Sequence, residues 1–298
     1  MINKSEKEKI RSRAVVLCPD NDAEAHLILK LANKAGMTII RSLQPHGAKL
    51  EKEPKLIKEL LKIGKPEVWI VEIPGPDKEK EIEENSIKVV VIDHHTYKDM
   101  DRLIDPKTGE KKPSSLEQFL ILAQIDDDEM KLWGFDPRTV RGIGISDALY
   151  VHGLRQSGYS DEELKKVYKL ELEINKVIYP DYEELLKLAE KDWENRKELG
   201  DYLLIKSTND GRIRKFISEV SILKGEDNKP MILQVIGAGD YGEKISVQNV
   251  DSKIIDKLNK NIKGNTFTFG SGRCWGANNK EGEEKVTLDD VLNVLELK

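Results

Sequence analysis

RAVVLCPDNDAEAHLILKLANKAGMTIIRSL, residues 13–43, reads as a strand, a helix and a second strand. Its first seven residues are mostly apolar, which predicts a buried strand, and helical spacing of apolar side chains follows as far as Gly36. A helical segment at 54–64 and apolar runs at 66–73 and 87–93 continue the alternation. Strands that alternate with helices at this interval predict parallel βαβ units. We therefore predict an α/β fold, with a parallel sheet of about five strands and helices on both faces.

The pattern changes in the second half of the chain. Residues 114–195 have helical periodicity, and strand-like runs separated by turns begin after Gly200. Strands are predicted at 201–207, 214–223, 231–239, 243–250 and 266–270, and helices at 252–262 and 287–297. We predict a first domain over 1–195, ending in a helical linker, and a smaller mixed α+β domain over 196–298.

Composition narrows the class of protein. The 298 residues are 38% hydrophobic and 35% charged, and the net charge of -5 argues against a protein that coats nucleic acid. Two cysteines, Cys18 and Cys274, are too few and too far apart for a disulfide framework. The charged N-terminus lacks a signal peptide's apolar core, and no apolar run approaches the length of a membrane span. A cytoplasmic location is expected, with no membrane partner.

Acidic and imidazole side chains follow three of the predicted strands. Asp20 and Asp22 come after the first strand, Glu72 after the third, and Asp93-His94-His95 after the fourth. Ligands of open parallel sheets bind beyond the carboxyl ends of the strands. Carboxylates mixed with imidazoles suit Mn²⁺, Fe²⁺ or Zn²⁺, and two such cations can promote phosphoester hydrolysis. Taken singly, the Asp20-Asn21-Asp22 segment could instead cap a helix, and either histidine could be a packed side chain.

Several segments resemble motifs of the DHH phosphoesterase superfamily, which includes RecJ-type nucleases, nanoRNases and cyclic-dinucleotide phosphodiesterases. VVVIDHH resembles the signature motif, CPDNDAEAHLI the first motif, IVEIPGP the second, and GIGISDALY the fourth. The resemblance implies catalytic roles for Asp93 and His94, with His94 close to the scissile phosphate. The metal ligands that it implies are Asp20, Asp22, Glu72, Asp93, His95 and Asp147.

The C-terminal segments ISVQNVD and FGSGRCWGAN resemble the substrate-binding domain of the same superfamily. The resemblance implies that Gly270, Gly272 and Arg273 bind substrate phosphate, together with His95. Trp275 either stacks on a base or packs in the core.

The resemblance implies a metal-dependent phosphoesterase that hydrolyses a small phosphorylated compound or a short oligonucleotide. Mn²⁺ is the expected cofactor, with Mg²⁺ or another divalent transition metal as alternatives, and a homodimer is left open. The chain also departs from the family. Val16 and Cys18 stand where relatives carry a metal ligand, Glu72 replaces an aspartate, and Arg273 replaces a histidine. A catalytically degenerate nucleotide-binding or scaffold protein is therefore the alternative.

Overall fold

A computed structural model describes residues 4–97, 100–210, 212–237, 242–282 and 284–297. The chain divides into two compact units. The first contains Met1–Ala148 and Leu170–Ile178, and the second contains Leu149–Lys169 and Tyr179–Lys298. The predicted domain boundary after residue 195 stays a prediction.

The first unit is built on a sheet of four parallel strands, in the order β2-β1-β3-β4. Its strands are β1 (Ala14–Pro19), β2 (Thr38–Ser42), β3 (Glu67–Val71) and β4 (Lys88–Ile92), with a small hairpin of β5 (Thr96–Tyr97) and β6 (Met100–Asp101). Its helices are α1 (Lys4–Arg13), α2 (Ala23–Lys34), α3 (Leu56–Ile63), α4 (Pro76–Glu84), α5 (Ser115–Leu122) and α6 (Asp127–Leu132), with a 3₁₀ turn at Leu50–Lys52. Helices α7 (Pro137–Gln156) and α8 (Asp161–Ile178) contain residues of both units.

Helices cover both faces of this sheet. Alternate strand residues point to opposite sides, so each face contributes its own set of side chains to a helix–sheet core. On one face Leu17 and Ile70 share a core with Leu60 of α3. On the other face Trp69 meets the ring of Phe119 in α5, edge to face, at 6.2 Å between centroids. The predicted fold class is confirmed, with four parallel strands where about five were expected.

The second unit contains a mixed sheet of six strands in the order β11-β12-β10-β9-β8-β7, of which only β8 and β9 pair in parallel. Its strands are β7 (Lys197–Leu199), β8 (Tyr202–Asp210), β9 (Met231–Gly237), β10 (Glu243–Gln248), β11 (Thr266–Phe269) and β12 (Cys274–Asn279). Its helices are α9 (Tyr182–Glu194), α10 (Ile213–Leu223), α11 (Ser252–Asn261) and α12 (Leu288–Leu295).

Two segments of the second unit differ from the sequence prediction. The strand predicted at 214–223 is wrong, because these residues belong to helix α10, which buries Ile213, Phe216, Ile217 and Val220. These four residues are related as i, i+3, i+4 and i+7, which is the helical period. No strand was predicted for the residues after Gly272, and they form strand β12. In the part of the chain that the structure describes, no helix is both long and apolar enough to cross a membrane.

Arg11 attaches the N-terminal helix α1 to the first unit. Its guanidinium donates to the carbonyls of Ala123 at 2.8 Å and Gln124 at 3.0 Å, and pairs with Glu129 at 2.9 Å. Arg11→Ala should lower the free energy of unfolding by about 2–3 kcal/mol, because it leaves buried acceptors without a donor. Urea denaturation measures this loss. Arg13→Ala is the matched control, since Arg13 is exposed and its pair with Glu67 is worth at most about 1 kcal/mol. Equal losses from the two variants would contradict the anchoring role.

Candidate metal centre

Four side chains meet at the carboxyl edge of the parallel sheet. Glu72 follows β3, His94 and His95 follow β4, and Asp147 lies on α7. Each offers one ligand atom, and these atoms all lie within 4.8 Å of one another. His94 is central, with Nε2 at 3.3 Å from Asp147 Oδ2 and Nδ1 at 3.3 Å from Glu72 Oε1. Two carboxylates and two imidazoles converge on one small volume.

The backbone at Glu72 is in the left-handed region, with φ at 51°. The Glu72 amide still donates to the Ile92 carbonyl at 3.0 Å, so the pairing of β3 with β4 extends to this residue. A non-glycine residue in this conformation stores strain of order 1 kcal/mol or more, and such strain is concentrated at functional sites. The chain thus leaves the strand at the residue that carries the carboxylate.

Gly144 allows α7 to lie close to the start of α5. A Cβ atom added there would be 2.3 Å from Ser114 Oγ, closer than real Cβ atoms approach, and a tight 3.2 Å from the Leu116 Cβ. Asp147 lies almost one helical turn further along α7. The close approach at Gly144 therefore helps to place the Asp147 carboxylate beside His94.

The N-terminus of α5 orients the His94 ring. The Ser115 amide donates to His94 Nδ1 at 3.3 Å, and Ser115 Oγ is 3.1 Å from the same nitrogen. Because Nδ1 accepts in this arrangement, the proton of a neutral ring lies on Nε2, which faces Asp147. His94 is thus held as a hydrogen-bond donor on its Nε2 side.

Asp93 is buried behind the site and holds His95. It accepts hydrogen bonds from the His95 amide and from His95 Nδ1, both at 3.0 Å, and from the Tyr97 hydroxyl at 2.9 Å. The hydrogen bond to Asp93 is the main cause that raises the pKa of His95 to about 9. Burial disfavours the Asp93 carboxylate, yet the hydrogen bonds from His95 outweigh it and lower the pKa of Asp93.

The surroundings of Glu72 are the clearest indication that the cluster is suited to bind a cation. Burial, followed by the negative charges of Asp22 and Asp147, raises its pKa to about 7. Glu72 Oε1 is buried without a hydrogen-bond partner, although His94 Nδ1 is 3.3 Å away. An orphaned carboxylate oxygen between two further carboxylates and two imidazoles fits a divalent transition-metal ion.

The two aspartates of the first motif have different surroundings. Asp22 lines a depression of about 220 Å³ with the cluster, while its Oδ1 caps α2 by accepting from the Ala25 amide at 2.8 Å. Asp20 is 2.8 Å from His26 Nδ1 and also pairs with Arg41. The side chains around the depression include Asp22, His46, Glu72, His95, Tyr97 and Asp147.

The structure therefore brings together four of the predicted site residues, namely Glu72, His94, His95 and Asp147, with Asp22 at the same depression. Asp20 and Asp93 are not members of this cluster. The metal-ligand roles of all six predicted residues stay predictions. Sequence reasoning did not identify Tyr97, whose only signal was its position four residues after Asp93. It also missed Glu24, a fully buried carboxyl that accepts from the Leu116 amide at 2.8 Å.

The predicted substrate residues Gly270, Gly272 and Arg273 form the turn between β11 and β12. Both glycines have positive φ, 59° and 75°, and the Arg273 side chain is exposed. Trp275 is fully buried in the core of the second unit, so it packs and does not stack on a base. The phosphate-binding role of the turn stays a prediction.

No family model and no curated protein matches the chain. Among solved structures it is similar to the exonuclease RecJ bound to manganese, with 14% identity, a TM-score of 0.39 and coverage of 93% of this chain and 88% of that chain. It is similar to PggH, a pGpG-specific phosphodiesterase from Vibrio cholerae, with 12% identity, a TM-score of 0.39 and coverage of 96% of each chain. CDC45 from Entamoeba histolytica follows, with 10% identity, a TM-score of 0.31 and coverage of 97% and 96%.

Mn²⁺ should raise the melting temperature above its value in chelator, and more than Ca²⁺ does, because imidazole ligands suit a transition metal. At a concentration a hundredfold above Kd the gain corresponds to about 2.7 kcal/mol. The gain should grow from about pH 6 to about pH 8.5, since Mn²⁺ must displace protons that His95 and Glu72 hold below pKa values of about 9 and about 7.

Asp147→Asn should reduce this gain, whereas Asp128→Asn, which alters an exposed carboxylate on α6, should not. Equal melting temperatures in chelator, Ca²⁺ and Mn²⁺ would exclude a metal site at this cluster.

Proposed function

We propose that this protein is a metal-dependent phosphoesterase of the DHH superfamily, which hydrolyses a small phosphorylated compound or a short oligonucleotide with Mn²⁺ as its metal. The single observation that carries the proposal is the cluster of Glu72, His94, His95 and Asp147 at the carboxyl edge of the sheet. Carboxylates mixed with imidazoles suit a divalent transition metal such as Mn²⁺ better than they suit Ca²⁺ or Mg²⁺.

Glu72, His95 and Asp147 are the residues that would hold the ion, with Asp22 at the same depression. A divalent cation there supplies Lewis acidity towards water and a phosphate ester. Asp93 keeps His95 in place through the His95 Nδ1 contact at 3.0 Å, which leaves His95 Nε2 as the nitrogen to face the ion. Carboxylate, histidine and cation then form the chain of contacts that is usual for metal-bound histidines.

We assign His94 to the phosphate. Its Nδ1 accepts from the Ser115 amide, so a neutral ring presents the Nε2 proton to the volume beside Asp147. A phosphoryl oxygen bound there would accept that proton's hydrogen bond, in place of the present Nε2–Asp147 contact. His94 is buried, and its ring is held by the contact with Ser115, the first residue of α5. The Nε2–H donor would therefore be oriented before substrate binds.

In the second unit, Gly270, Gly272 and Arg273 would contribute a phosphate-binding turn. The two glycines adopt positive φ, and Arg273 is an exposed cation directly after them. Backbone amides in such turns can bind an anion together with the guanidinium. A cytoplasmic location is part of the proposal, and a homodimer is left open.

Hydrolysis of a phosphate panel tests the proposed activity. Dinucleotides, nucleoside monophosphates, pyrophosphate and bis-p-nitrophenyl phosphate are incubated with Mn²⁺, with Mg²⁺ and with chelator. We expect Mn²⁺-dependent release of product from one class, with His94→Ala reducing kcat by about a hundredfold or more, because the oriented donor is lost. Asp128→Asn, in which an exposed carboxylate is changed, is the control and should retain the full rate.

No hydrolysis of any compound, by a protein that nonetheless binds Mn²⁺ at the cluster, would contradict the enzymatic proposal. That outcome would favour the alternative, a catalytically degenerate nucleotide-binding or scaffold protein.

Glu72→Asp should lower the Mn²⁺ concentration needed for half-maximal activity and raise the rate. A glutamate carries one more rotatable bond than the aspartate of the resembled motif, so it holds a shared ion less firmly. The left-handed backbone at residue 72 tolerates aspartate well. The rate is measured as a function of Mn²⁺ concentration. The isosteric Glu72→Gln, which loses the charge, should instead raise the Mn²⁺ concentration needed for half-maximal activity. A slower Glu72→Asp variant with unchanged metal dependence would show that the longer arm is not limiting.

A further inference from the structure

Two aromatic rings stand side by side on the edge strand of the second sheet. Phe267 and Phe269 are two residues apart on β11, so both side chains point to the same face. Their ring centroids are 5.8 Å apart with planes inclined at 35°, and both rings are only partly buried. The pair is an aromatic surface at the border of the sheet.

Arg214, near the start of α10, extends over this pair. Its guanidinium carbon is 5.7 Å from the Phe267 centroid and 5.5 Å from the Phe269 centroid. Burial lowers the pKa of Arg214, and its Nη1 is buried without a hydrogen-bond partner. Among the residues described, no carboxylate forms an ion pair with it, whereas nearby Arg212 pairs with Asp181 at 2.6 Å. A largely desolvated cation with no anion beside it is a costly arrangement that a bound anion would relieve.

The sheet fixes the position of Phe267. This residue pairs across the strands with Gly276, and a Cβ atom at Gly276 would lie 2.6 Å from Phe267 Cζ. The phenyl ring therefore occupies the space of the missing side chain. A ring held in this way loses little conformational entropy when a ligand stacks on it.

A second cation is present beside the same strand. Arg273 is exposed, and its side chain has no ion pair with any residue that the structure describes. Burial raises the pKa of the Cys274 thiol to about 11, while the positive charges of Arg273 and Arg214 both act to lower it. The two guanidinium groups therefore both act on Cys274, the first residue of β12.

We propose that Phe267, Phe269 and Arg214 form a nucleotide-binding platform on the second unit, on which the rings stack with a base and the arginine binds phosphate. Stacking on aromatic side chains and on guanidinium planes accepts any base, because every base has a π face. Arg273 would reach the phosphate from the glycine turn. As a binding site the platform does not depend on hydrolysis; as an indication of substrate class it rests on the proposed function.

Calorimetric titration of the full chain in chelator tests the platform, with AMP, ribose 5-phosphate and adenosine as probes. We expect AMP to bind at least about tenfold more tightly than ribose 5-phosphate, because only AMP can stack, and more tightly than adenosine, because only AMP carries the anion. The chelator removes any contribution from a metal ion.

Two variants assign the binding to these residues. Phe269→Leu keeps the apolar volume but removes the ring, so it should weaken AMP about tenfold and leave ribose 5-phosphate unchanged. Arg214→Met removes the charge at similar volume and should weaken both phosphates. Thr268→Ala, exposed on the opposite face of β11, and Arg212→Gln, whose arginine already has a carboxylate partner, are matched controls that should bind AMP normally.

If AMP binds the unaltered protein no more tightly than ribose 5-phosphate, the aromatic pair is simply packing and the inference is wrong. The same conclusion follows if folded Phe269→Leu binds AMP as well as the unaltered protein. Tight AMP binding by a protein that hydrolyses nothing would uphold the platform while the proposed phosphoesterase activity fails. Hydrolysis of a phosphate compound without AMP binding would support the proposed phosphoesterase activity and contradict the platform.

Discussion

Repulsion between carboxylates at one edge of the parallel sheet is the constraint on which the site depends. Glu72 is buried between the charges of Asp22 and Asp147, and its pKa is raised to about 7 in consequence. Part of the charge is balanced by His95, which Asp93 holds in its protonated form. The fold supports an arrangement that repels itself because the four-stranded sheet and the contact of α7 with α5 fix the backbone around it. A cation at the cluster would convert that repulsion into attraction.

The sequence predicted the first unit better than the second for a physical reason. Parallel strands buried on both faces give continuous apolar runs, such as the one that forms β1, and these are hard to mistake. Glu72, His94 and His95 come together simply because each follows such a strand. Asp147 was assigned only by resemblance, since its place depends on the packing of Gly144 against Ser114, a tertiary contact with no local signature.

One error arose where a short apolar segment fits two periods. Helix α10 has enough β-branched and aromatic residues to read as a strand, although its apolar residues Ile213, Phe216, Ile217 and Val220 have helical spacing. Strand β12 was missed for a different reason. The glycines directly before it favour a turn, and no strand was predicted after them. Asp22 illustrates a different limit. Helix capping and a place at the candidate site were treated as alternatives, yet the Asp22 carboxylate caps α2 through one oxygen and also lines the depression beside the cluster.

The left-handed backbone at Glu72 has a consequence for the evolution of this chain. A β-branched side chain is strongly disfavoured at φ of 51°, while aspartate, asparagine and glycine adopt that conformation readily. The main chain therefore restricts the substitutions available at this position before any demand of catalysis is considered.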